Sequence, residues 1–174
     1  MLDRVVIRYL PVEDRLELAI ITKPPVKLYR LHLTRRVTRL WLDQLAKVIE
    51  VSAAAPATAE PTTRAAIAAL HHEALASRAS FGRSDLPALE QSLETAPVQP
   101  SLVTRISCGR RKSDGLWTLR FGFVSGGVVS LNLTAETLHG AVELLTRQLE
   151  KTDWRLNLPL ARQLHLAGAE GPVH

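Results

Sequence analysis

Residues 28–50, "LYRLHLTRRVTRLWLDQLAKVIE", and residues 128–150, "VVSLNLTAETLHGAVELLTRQLE", lie one hundred positions apart in a chain of 174. Each begins as a short extended run and reaches a threonine, Thr34 or Thr134. A threonine hydroxyl there can accept from a free amide of the first helical turn, so it reads as an N-cap. Beyond the cap, Val37, Trp41, Leu45 and Val48, joined by Leu42 and Ile49, recur at helical spacing. In the second stretch Leu138, Val142, Leu145 and Leu149 do the same. Both stretches therefore read as a strand, a cap and an amphipathic helix.

The match extends outward without a gap. Leu2 meets Leu102, Asp14 meets Asp114, Leu16 meets Leu116, and Glu50 meets Glu150. Strands are predicted over 5–10, 16–22 and 26–33, separated by "PVEDR" and "KPP". The second set covers 102–108, 116–124 and 128–133, separated by "GRRKSDG" and "SGG". The predicted fold is α+β: an antiparallel sheet built from an internal βββα duplication, with both helices packed on one face. Residues 1–51 and 102–158 form the two units of one globular domain. A three-stranded unit with one helix cannot cover both faces of its sheet, so one face is expected to stay open.

Between the units, "VSAAAPATAEPTT" (51–63) reads as an Ala/Pro/Thr linker. An Ala-rich helix follows near 63–80, with Ile67, Leu70, Ala74 and Leu75 expected on its packed side. Residues 84–101 are read as one or two more helical turns. "TDWRLNLP" (152–159) reads as a short strand, and 159–174 as a frayed tail.

Composition narrows the function classes. The chain carries 22 Lys/Arg against 17 Asp/Glu, a net charge of +5. The excess sits in the two units: residues 1–50 hold ten cations and six anions, whereas 51–104 hold three and five. Cys108 is the single cysteine, which excludes an internal disulfide framework and a cysteine-based zinc site. The opening "MLDRVVIRYLPVEDRLE" has charges breaking its apolar run, unlike a signal peptide or anchor. A cytoplasmic protein with no membrane partner is expected.

Catalytic signatures do not assemble. "HHEAL" (71–75) lacks the second histidine of a zinc-protease helix, because position 76 is alanine. No metal or cofactor is expected. "FGFVSGG" joins two strands and is not a phosphate loop. Cys108 follows a strand and precedes Arg110, Arg111 and Lys112. Nearby cations lower a thiol's pKa, but no base can be paired with it, and a strand-packing role is the expectation. No enzyme is expected.

The binding candidates are basic and aromatic. Arg30, Arg35, Arg36 and Arg39 cluster where a helix begins, where cations oppose the helix dipole and an anionic partner would offset the cost. Arg110, Arg111 and Lys112 crown the β-hairpin. Trp117, Phe121 and Phe123 share one strand face by the period of two; they form either core or a base-stacking platform. In outline the duplicated sheet-plus-helix unit, with its "VSLNLTAET" strand entering a helix, resembles the small single-stranded nucleic-acid-binding folds of the PUR-repeat, Whirly and PC-four coactivator type. Those folds have four strands per unit where three are read here. The leading expectation is a non-catalytic binding or assembly module, a homo-oligomer or a subunit of a larger protein complex. The alternative is a single-stranded nucleic-acid binder using the basic hairpin and the aromatic strand.

Overall fold

The computed structural model describes residues 2–23, 25–79 and 99–156. Among these residues the elements follow in chain order: β1 (Leu2–Leu10), β2 (Arg15–Thr22), β3 (Leu28–Thr34), α1 (Arg35–Ala53), α2 (Pro61–Ala76), β4 (Ser101–Arg110), β5 (Trp117–Phe123), β6 (Val128–Leu133) and α3 (Ala135–Leu149). Each half has the order β-β-β-α, with α2 between them. Both threonines cap as expected: Thr34 Oγ1 accepts from the Val37 amide at 3.4 Å and Thr134 Oγ1 from the Thr137 amide at 3.3 Å.

All six strands form one sheet in sequence order. It is mixed, not antiparallel as predicted. β3 and β4 run parallel, joined at Leu31–Ser101 and His32–Leu102. The physical reason is the connection. β3 leaves the sheet into α1, and the chain returns through α2 before entering β4 in the same direction, as a parallel neighbour requires.

The hundred-residue match also needs one gap. Leu16 pairs with Leu33 and Tyr9 pairs with Leu16 in the first half; Trp117 pairs with Leu133 and Arg110 with Trp117 in the second. Leu16 therefore corresponds to Trp117, an offset of 101, whereas Leu33 corresponds to Leu133, an offset of 100. The missing residue lies in the β5–β6 turn, which is one residue shorter than the β2–β3 turn. The left-handed turn position is likewise Asp14 (φ 48°) in one half and Gly115 (φ 71°) in the other.

Leu16, Leu18 and Ile20 of β2 share the inner sheet face with Leu31 and Leu33 of β3. Trp117, Leu119 and Phe121 of β5 take the equivalent places beside Leu131 and Leu133. The stripes of α1 and α3 close over this face, and all of these residues belong to one apolar cluster. Trp41 of α1 meets Phe121 edge to face, with ring centroids 5.6 Å apart.

The packing of the helices is crossed. α1 lies mainly on β4 of the second half, and α3 lies on β1 of the first. Gln44 of α1 donates from Nε2 to the Ile106 carbonyl of β4 at 3.0 Å, which satisfies part of an edge that β3 pairs only at its start. The two outer strands, β1 and β6, approach each other without forming a ladder.

Two smaller expectations change. α2 buries Ala65, Ala68 and Leu75, while Leu70 is 67% exposed; an alanine-rich helix has too weak an apolar stripe to fix its facing. Residues 152–156 form a turn and not a strand, with the Trp154 amide donating to Thr152 Oγ1 at 3.3 Å. Nearly all of the 84–101 segment and the 159–174 tail fall outside the described residues.

That turn drives Trp154 into the first half. The residue is 1% exposed, its ring meets Tyr9 edge to face at 5.8 Å, and its indole N–H donates to Asp14. Trp154→Ala removes a large buried group from the join between halves. It is expected to lower unfolding free energy by about 3–5 kcal/mol, measured by urea titration; a loss below about 1 kcal/mol would place Trp154 outside the shared core.

Candidate functional site

The outer face of the sheet is different in the two halves. In the first half Glu17 points outward yet is fully buried. Arg8, opposite it on β1, pairs with Oε2, and Arg30 of β3 donates from Nε to Oε1 at 2.7 Å. His32 stands at 3.9 Å on the same carboxylate and at 3.4 Å from Glu13. Ala19 and Ile21 on this face are also buried. A buried carboxylate needs such compensation. Arg30, a predicted binding residue, is therefore committed to Glu17.

In the second half the outer face is open. Period-two alternation sets Trp117, Leu119 and Phe121 inward, so Thr118, Arg120 and Gly122 face out. On β4 a bulge between Val103 and Arg105 shifts the alternation by one, turning Ile106 inward to Phe121 and Arg105 outward. Arg105 stands opposite Gly122, and Arg120 opposite Ser107. The two arginines are thus diagonal neighbours on one face. The Arg105 stem lies directly over Gly122: a Cβ at position 122 would be in van der Waals contact with Arg105 Cβ, at 3.5 Å. Among the described residues neither Arg105 nor Arg120 has a carboxylate partner.

This face runs into a cleft of about 510 Å³ between α1 and β4–β6. Val37, Leu40 and Gln44 of α1 form one wall. Thr104, Arg105, Ile106 and Ser107 of β4, with Arg120, Gly122 and Val128, form the other. Leu40 and Val128 are 48% and 57% exposed, large values for apolar side chains lining one depression. Arg36 is exposed one helical turn before Leu40, on the same helix face. Two guanidinium groups with no carboxylate partner among the described residues, hydroxyls and an apolar rim thus meet at one place. The arrangement suits an anionic group that carries an apolar neighbour.

The other predicted site residues separate. Arg35 and Arg39 are exposed on the first turns of α1. Arg110, Arg111 and Lys112 are exposed at the hairpin tip, about 17 Å along β4 from Arg105 at the usual strand rise. Arg111 pairs there with Asp114. Trp117 and Phe121 are buried, 4% and 0% exposed, and Phe123 is half-buried. A stacking platform needs exposed ring faces, so these two rings are core and not platform. Missed by the sequence reading were Arg105 and Arg120. Arg120 was legible by alternation; Arg105 was hidden by the bulge.

No zinc-binding helix arises at 71–75, and among the described residues no group of three histidine, cysteine or acidic side chains is arranged to hold a metal. No helix among them is long and apolar enough to cross a membrane. Cys108 faces inward, opposite Leu119. Burial pushes its thiol up to about 11, against a smaller opposing effect of the Gly109 amide. The neighbouring cations do not make it reactive, because they lie at the exposed tip. Native protein at pH 7.5 is expected to alkylate at least tenfold more slowly with iodoacetamide than urea-unfolded protein; equal rates would contradict the raised pKa of this half-buried thiol.

Comparison with protein-family models, curated proteins and solved structures finds no match for this chain. The outline likeness to single-stranded nucleic-acid-binding folds thus rests on the order of elements alone.

Proposed function

We propose that the chain is a non-catalytic binding module for a protein partner. It takes an acidic segment with an adjoining apolar side chain into the cleft between α1 and β4–β6. The observation that carries this reading is the juxtaposition of Arg105 and Arg120, both without carboxylate partners among the described residues, with the exposed Leu40 and Val128. Guanidinium groups hold carboxylates through two parallel N–H donors. An apolar rim beside them favours a side chain over a bare ion. Arg35, Arg36 and Arg39 add positive potential on the α1 side, which speeds encounter more than it strengthens the final contact. The reading fits a subunit of a larger complex in the cytoplasm, and it treats the two βββα halves as one unit used twice, with only the second presenting an open face.

Burial of Trp117 and Phe121 weighs against base stacking and favours the protein partner over single-stranded nucleic acid. A labelled peptide alternating Glu and Leu, and a labelled single-stranded DNA of similar length, would be titrated with the protein by fluorescence anisotropy at two salt concentrations. The peptide is expected to bind, and an R105E/R120E double variant to lose at least tenfold in affinity. L40D is expected to weaken the peptide comparably. Tight, steeply salt-dependent DNA binding without peptide binding would replace this reading by the nucleic-acid one.

A further inference from the structure

Away from the cleft, a chain of hydrogen bonds joins α1, α2 and α3 through histidine. His139 of α3 is fully buried. Its Nε2 is 3.0 Å from Ser52 Oγ of α1, and its Nδ1 is 2.8 Å from Nδ1 of His72 on α2. Ser52 donates its proton to the Ile49 carbonyl at 3.0 Å. One proton arrangement then satisfies the Ser52–His139–His72 contacts. His139 donates from Nε2 to Ser52, and its bare Nδ1 accepts from the His72 Nδ1–H. His71 closes the group, its ring centroid 5.7 Å from that of His139 and its Nδ1 buried without a partner among the described residues.

An Nδ1–Nδ1 contact of 2.8 Å holds one proton. A proton added at the outer nitrogen of His72 leaves it intact. A second proton, on His139 Nδ1, sets N–H against N–H and breaks it. The element at stake is weakly held otherwise. α2 buries only two alanines and Leu75, and Glu60 at its N-cap makes no side-chain cap bond.

We propose that the His72–His139 contact is an acid-sensitive latch that holds α2 against α3 and α1 at neutral pH and releases it as the pH falls. Burial keeps His139 unprotonated down to about 4, with His72 and His71 adding in the same sense and Glu136 opposing. Burial also lowers His72, against Glu143 of α3 and Glu73 of its own helix. Arg78, beyond α2, acts on Glu136. Among the described residues α1 contributes only the neutral Ser52 hydroxyl to the chain. The sign follows. Released imidazoles take protons at their ordinary value near 6.5 while the docked ones resist. Docking is therefore fully supported above about 6.5, and that support drains away as pH drops from there towards about 4.

Amide hydrogen exchange on the whole chain at pH 7.0 and 5.0, corrected for intrinsic exchange, tests the latch. Opening of α2 is expected to rise about tenfold per pH unit below 6.5 for each proton taken up, while β2 and β5 stay protected. Because His139 is fully buried, the variant is H72Q at the half-buried partner, which is expected to flatten the pH dependence of α2. The histidine ring resonances give a readout free of any variant: His139 is expected to stay unprotonated at pH 5 while α2 is docked. Equal α2 protection at both pH values, loss in step with β2 and β5, an unchanged pH dependence in H72Q, or His139 titrating near 6.5 with α2 still protected would each overturn the proposal.

Discussion

Three twisted strands present an apolar face wider than one helix can cover. That constraint shapes the molecule. Each half solves it by lending its helix to the other: α1 lies on β4, and α3 lies on β1. The apolar residues of both halves then merge into one cluster, with Trp154 driven from the end of the second half onto Tyr9 of the first. The parallel β3–β4 join is short, only two residue pairs. It is the crossed helices, more than that ladder, that make one body of two halves.

Sharing the inner face leaves the outer face to be settled separately, and here the halves diverge. The first closes its outer face around Glu17, with Arg8 and Arg30 neutralising it. The second leaves Arg105 and Arg120 without carboxylates among the described residues, next to an apolar wall that belongs to α1. The cleft exists because α1 crosses over. A cleft made at the join of the two βββα halves needs residues from both, which is why it is not a property of either stretch read alone. The same crossing brings Ser52, His72 and His139, one from each helix, into a single hydrogen-bonded chain.

Much of this was legible in the sequence. Alternation in β3 and β6, the threonine caps and the helical stripes are local patterns, and local physics decides them. Leu31, Leu33, Trp41, Leu45, Leu138 and Leu145 all bury as their spacing implies. What was not legible depended on register. The ungapped hundred-residue match set Leu16 against Leu116, because a shortened turn leaves no mark when leucines flank both positions. The bulge after Val103 reversed the side of Arg105. The parallel join depended on how the chain returns from α2. The histidine pair was read only against a zinc-protease spacing, since nothing in the sequence brings position 72 to position 139. The burial of Trp117 and Phe121 was one of two stated alternatives, and only the covering helices decide it.

The claim that the two halves share one core is tested most directly by separating them. Residues 1–79 and 80–174 would be produced as two chains and recorded by two-dimensional amide NMR, alone and mixed in equal amounts. Each alone is expected to give the narrow dispersion of an unfolded chain, because each lacks the helix that covers its first strand. Mixed, they are expected to recover a dispersed spectrum. A well-dispersed spectrum and a cooperative melt from residues 1–79 by themselves would contradict the account.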